Sequence, residues 1–173
     1  NQMYQLLGAE ACGQFQAALE QPTPVSIRLN PRKVLSFQGL PGSVSSSPVP
    51  WHPLGFYLAE RPVFTLDPAF HAGAYYVQEA SSMFLQEALR QMVDCSAALK
   101  ILDLCAAPGG KSTLIASMMG ENGLLVANET IRNRTNALRD NLEKWGHPNV
   151  AITSAEAEAF AALERWFDVV VVD

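Results

Sequence analysis

The sequence predicts an α/β fold: a Rossmann-like core contributing its first four parallel strands, preceded by a small α+β N-terminal domain. Two observations establish the division. Nine of the eleven prolines precede His71, and from Glu79 onward short apolar runs alternate with segments of helical period. A third places a ligand: two adjacent glycines, Gly109 and Gly110, stand where the first of those runs gives way to a helix. The expected domains are residues 1–70 and 71–173.

In the first domain, Met3, Leu6, Leu7, Ala11, Phe15 and Ala18 recur at helical spacing over Gln2–Leu19, and Pro22 and Pro24 stop that helix. Ser26–Leu29 and Val34–Phe37 read as short strands around the turn signal Asn30-Pro31, and Phe56–Leu58 as another. The stretch 39–50, rich in Gly, Ser and Pro, reads as an exposed loop. In the second domain, Ser81–Met92 is predicted helical. Strands follow at Lys100–Leu104, Leu124–Ala127, Val150–Thr153 and Val169–Val172, separated by helices at Lys111–Met119, Ile131–Trp145 and Glu156–Leu163. This alternation predicts parallel βαβ units with right-handed crossovers. Gly120 and Gly146 stand where a left-handed C-terminal residue is usual. Ile131, Leu138, Leu142 and Trp145 share one helix face and are expected in the core.

With 49% hydrophobic and 17% charged residues, the 173-residue chain can bury a substantial core. Cys12, Cys95 and Cys105 are odd in number and lack ligand spacing, so neither a disulfide framework nor a metal site is expected. No apolar run is long enough for a bilayer and no signal-peptide pattern opens the chain, so a cytoplasmic protein without a membrane partner is expected. The net charge of −5 falls on the second half, which carries eight basic and thirteen acidic residues against four and four before His71. That balance argues mildly against nucleic-acid binding, although Arg28, Arg32 and Lys33 form a local basic group.

Asp103–Lys111 lies at the carboxyl end of the first parallel strand, where such sheets bind ligands. Its glycines would let backbone approach a ligand, and the following helix N-terminus suits an anionic group. A P-loop requires Gly where Cys105 stands, and the Gly-x-Gly-x-x-Gly fingerprint is absent. Glu129 lies nineteen positions after Gly110, near the roughly 20-residue offset of a ribose-binding acid. Strand, glycine loop, helix, strand and acid make a nucleoside site.

These residues resemble the RNA cytosine-5 methyltransferases of the Nop/Sun/Fmu family, and the bacterial, ribosomal-RNA-modifying branch fits best. Four segments carry the likeness: Tyr75–Met83, the Asp-x-Cys-Ala-Ala-Pro-Gly-Gly-Lys stretch ending at Lys111, Ala127-Asn128-Glu129 with Arg134 and Asn141, and Phe167–Asp173. The resemblance implies a Rossmann-like S-adenosylmethionine-dependent methyltransferase core. S-adenosylmethionine would be the cofactor, held by the backbone of Cys105, Ala106, Ala107, Pro108, Gly109, Gly110 and Lys111. Glu129 would hold the ribose and Arg134 support it. Glu156 stands where the family places an Asp beside adenine, and Asp173 would lie between cofactor and target base.

The resemblance further implies RNA, ribosomal RNA first, as partner, with Arg28, Arg32 and Lys33 as candidate contacts. His71, Tyr75 and Tyr76 are candidates for base stacking. In the family a cysteine adds to cytosine C6 and activates C5 for methyl transfer. None of the three cysteines occupies that place, so the nucleophile is expected beyond Asp173. The alternatives are a methyltransferase acting on protein or small molecules, a P-loop NTPase, which Cys105 disfavours, and a non-catalytic cofactor- or RNA-binding fragment.

Overall fold

The computed structural model describes residues 2–34 and 46–173. Helix α1 (Gln2–Leu19) ends before the two prolines, as the spacing predicts, but Gly8 at φ 76° breaks it internally and only Cys12 is buried. Strands β1 (Val25–Leu29), β2 (Ser46–Pro48), β3 (Gly55–Leu58) and β4 (Tyr75–Val77) form an antiparallel sheet in the order β2-β3-β1-β4. Its core is Ile27, Leu29, Leu58, Phe64, Ala74 and Tyr75.

Several expectations are revised here. Strand β2 occupies the end of the expected loop, as an edge strand that tolerates Pro48. The proposed strand at Val34–Phe37 and the loop from Gly39 lie largely outside the described residues. Between β3 and β4 the chain forms a 3₁₀ turn, Phe64–Leu66, and helix α2 (Pro68–His71), whose cap Asp67 accepts from the Ala69 amide at 2.9 Å. Because β4 pairs with β1, the change of architecture falls after Val77, later than residue 70.

The expected helix at Ser81–Met92 is two, α3 (Ala80–Met83) and α4 (Leu85–Met92). The Phe84 amide bonds back to Ser81 O at 3.0 Å, a tight turn that re-aims the axis. Met83 thereby packs with Val49 and Leu114, while Leu89 packs with Ile101 and Ile115.

The second sheet contains β5 (Lys100–Asp103), β6 (Leu124–Asn128), β7 (Val150–Thr153) and β8 (Val169–Val171). All its pairings are parallel, in the order β7-β6-β5-β8. Helix α5 (Gly110–Met118) joins β5 to β6, and α6 (Arg132–Trp145) joins β6 to β7. The chain steps outward from β5 to β7 and then returns to β5's other side, so the topological switch lies between β5 and β8. The segment expected as a helix before β8 is a 3₁₀ run, Ala157–Ala162, with no buried residue. Its one large apolar side chain, Phe160, packs on Phe167.

Leu138, Leu142 and Trp145 are buried, but Ile131 is 49% exposed. It is the extended cap residue (φ −85°, ψ 106°) and so lies off the helical face. Gly146 ends α6 at φ 79° as expected. Gly120 is needed for space instead, since a Cβ there would meet Ser96 O at 2.4 Å. Among the described residues no helix is long and apolar enough to cross a membrane.

Candidate cofactor site

The loop after β5 is held from every side. Asp103 is 1% exposed and accepts from Ser112 Oγ at 2.6 Å, and burial pushes its carboxyl above the usual range. The Leu104 amide bonds Val171 O at 2.9 Å and the Ala106 amide bonds Asn128 O at 2.8 Å, tying the loop to both neighbouring strands. The Asn128 side chain spans the strand ends. Its Nδ2 donates to Leu104 O (3.2 Å) and Ala155 O (2.9 Å), and its Oδ1 accepts from Thr153 Oγ1 (2.8 Å) and the Ala155 amide (3.0 Å).

Loop carbonyls point into the protein. Ala107 O accepts from Arg134 Nη2 at 2.7 Å, and Pro108 O from Asn141 Nδ2 at 2.8 Å and the Tyr76 hydroxyl at 3.4 Å. Gly110 O accepts from Thr113 Oγ1 (3.0 Å), Gln78 Nε2 (3.2 Å) and Arg28 Nη2 (3.3 Å). The Ala107–Pro108 peptide is cis, and Gly109 has φ 110°, a conformation L side chains rarely adopt. The two glycines let the loop pack closely. A Cβ on Gly109 would face Leu138 and Asn141, and one on Gly110 would face Tyr76 and Gln78. They seat the loop against α6 and β4.

Cys105–Pro108, Gly110, Lys111 and Asp173 share one cleft, closed on its other side by Tyr76–Glu79 and Ser82. Lys111 forms an ion pair with Asp173 across it. Glu129, Arg134 and Glu156 do not line that cleft. Glu129 follows β6, is 3% exposed, and accepts from the Ile131 amide through Oε1 at 3.0 Å. Its Oε2 lies 3.3 Å from Arg134 Nη1, an ion contact without hydrogen-bond geometry, so this buried oxygen retains an open acceptor position. Arg134 therefore bridges Glu129 to the loop. Glu156 is exposed beside the β7 end, and no side-chain cap bond ties it to the segment that follows.

The basic group separates. Arg28 is 1% exposed, so its placement on an RNA-facing surface is corrected: its donors are engaged by Gln78, Thr113 and Gly110. Arg32 is exposed, and the exposed Lys33 ammonium donates to the carbonyls of Ala72 (2.7 Å) and Lys144. Tyr75 is core, its hydroxyl donating to Asp67, while Tyr76 lines the cleft. His71 is exposed and packs edge-on against Phe70. Cys12 is buried, Cys95 half-buried with its thiol pushed up by burial, and Cys105 exposed. Among the described residues no cluster of three potential ligands could hold a metal. Sequence reading missed Gln78 as a loop contact, the Arg28 network and the span of Asn128, because none has a partner nearby in the chain.

This sheet order, with its loop and buried acid, defines a Rossmann-like α/β core with a candidate nucleoside site at its strand ends. A family model described as the N-terminal domain of 16S rRNA methyltransferase RsmF matches residues 1–80, and one described as 16S rRNA methyltransferase RsmB/F matches residues 91–173. The chain belongs to the RsmB/F family of 16S rRNA methyltransferases.

It is 36% identical over 172 residues to the ribosomal RNA small subunit methyltransferase F of Cronobacter sakazakii, covering 94% of this chain and 35% of that protein. Its identity to the Escherichia coli protein of that name is 37% over 168 residues, covering 92% and 35%. The chain thus spans about a third of the length of these curated relatives. Among solved structures, a methyltransferase homologue from Pyrococcus horikoshii aligns with a TM-score of 0.82 and 32% identity, over 99% of this chain and 57% of that one. NSun6 from the same organism shares the fold, with a TM-score of 0.75 at 19% identity, over 98% and 68%.

Proposed function

We propose that this chain binds S-adenosylmethionine at the carboxyl ends of β5, β6 and β7, and that the longer protein methylates cytosine C5 in ribosomal RNA. The observation that carries the cofactor site is Glu129 Oε2, a buried carboxylate oxygen with no hydrogen-bond donor. Held only by its ion contact with Arg134, that oxygen keeps an unused acceptor position, and a ribose hydroxyl supplies the missing donor. The residues present fit the cofactor in other respects. First-turn amides of α5 lack intrahelical acceptors and present a partial positive charge suited to a carboxylate. With Ala107, Pro108 and Gly110 carbonyls turned inward, the loop's exposed edge is not lined by those acceptors. Glu156 is assigned to the adenine side by its position after β7.

When bound, S-adenosylmethionine supplies an electrophilic methyl group. Lys111 and Asp173, paired across the cleft, then orient a target base entering beside the loop. The attacking cysteine in this reading is none of Cys12, Cys95 and Cys105. The N-terminal sheet with α1 and α2 positions RNA, with exposed Arg32 as its phosphate contact, and the protein works in the cytoplasm.

Calorimetric titration with S-adenosylhomocysteine tests the cofactor site. Glu129→Ala should weaken binding about ten- to a hundredfold, the equivalent of one charge-assisted hydrogen bond. Equal affinity in parent and variant would remove the ribose assignment. Deleting the gene should cost small-subunit ribosomal RNA one 5-methylcytidine by mass spectrometry, and an unchanged modification profile would refute the substrate.

A further inference from the structure

We propose that Arg28 and Thr113, together with Gln78, are positioning residues for the cofactor loop, acting through the Gly110 carbonyl to orient the peptide that presents the Lys111 amide. The proposal rests on the cofactor-binding reading above. Arg28 lies on β1 opposite Tyr76 and is 1% exposed. A cation buried so deeply is costly unless its donors are engaged. Its Nε donates to Gln78 Oε1 at 2.7 Å, and its Nη2 to Thr113 Oγ1 at 2.6 Å and Gly110 O at 3.3 Å. Its guanidinium carbon lies 4.5 Å from the centre of the Trp145 ring. Burial pulls its pKa down to about 9, which still leaves it cationic at neutral pH.

These partners converge on one atom. Gly110 O receives Arg28, Gln78 and Thr113 within 3.0–3.3 Å. A trans peptide is planar with its carbonyl and amide opposed, so fixing Gly110 O fixes the direction of the Lys111 amide. At the start of α5 that amide points out of the helix toward the cofactor side. Ala107 and Pro108 carbonyls are held mainly from α6, within the methyltransferase core. Gly110 O instead receives Arg28 from β1 and Gln78 from just after β4, beside Thr113 of α5 itself. The contact is tight, since a Cβ on Gly110 would meet Tyr76 Cε1 at 3.4 Å and Gln78 Nε2 at 3.5 Å.

Titration calorimetry on the intact protein separates this role from a merely structural one. Lost folding lowers the melting temperature and the number of binding sites; lost positioning raises the Kd of the sites that remain. Arg28→Lys keeps the charge without the planar fork, and Thr113→Val keeps the shape without the hydroxyl. Each should raise the Kd for S-adenosylhomocysteine about tenfold, a change of about 1.4 kcal/mol. The double variant should be little worse than either, because both act through one carbonyl.

If Arg28→Lys does not fold, Thr113→Val decides alone. Unchanged Kd values with fewer sites or a lower melting temperature would overturn the positioning role. Should Glu129→Gln weaken binding at the same time, the cofactor reading stands without it. Absence of binding by the parent protein would take both down.

Discussion

Asn128 uses both donors and accepts two hydrogen bonds at the junction of β5, β6 and β7. Truncating it strands Leu104 O, Ala155 O, the Ala155 amide and the Thr153 hydroxyl in a part-buried setting. Each unsatisfied group costs about 1–3 kcal/mol where water cannot reach. Asn128→Ala should therefore lower unfolding free energy by about 3 kcal/mol, read from urea denaturation; a loss below about 1 kcal/mol would mean water replaces the side chain. The sequence could not announce this residue. Gly109, Gly110 and Glu129 stand out in the sequence because a nucleoside site demands those types at that spacing. Asn128 and Arg28 depend on partners brought together only by folding, 82 and 85 positions away in the case of Arg28. Chemical type pointed Arg28 toward RNA, and burial reversed the assignment.

Among the elements, the parallel strands were read almost to the residue, because an apolar run bounded by polar ends leaves little choice of register. The N-terminal unit was harder. Strands β2 and β4 are three residues each, too short for alternation to emerge, and α2 is a single capped turn. The fold there depends on backbone closeness: Gly73, just before β4, has φ 68°, and a Cβ would lie 2.0 Å from Lys144 O at the end of α6. Gly73→Ala combines a strained backbone with a clash against main chain, which cannot yield as a side chain tip would. It should cost about 3 kcal/mol or more in the same denaturation experiment. A neutral substitution would show that α6 can retreat from this turn.

At the scale of the whole molecule, His52 reports on how the units meet. It is 4% exposed, and its Nδ1 accepts from the Leu54 amide at 3.1 Å, which makes it the neutral tautomer. Burial, then the charges of Arg28 and Arg90, pull its pKa from 6.5 to about 4. Between those values the unfolded chain binds the proton more readily than the folded one, so stability falls as pH drops from about 6.5 toward 4. Urea midpoints at pH 7 and 4.5 should differ less in His52→Asn than in the parent; equal differences would remove His52 from the acid response.

Two buried side chains, one on β1 and one just after it, reach across to the methyltransferase helices. Arg28 meets the start of α5, and Asn30 Nδ2 donates to Trp145 O at the end of α6 at 2.9 Å. The consequence is for modularity. A chimera joining one relative's N-terminal unit to another's catalytic half must carry Arg28 with Thr113, and Asn30 with a matching α6 terminus. Cut without regard to those pairs, such a hybrid would bury a cation deprived of its shortest hydrogen bond, the one to Thr113 Oγ1.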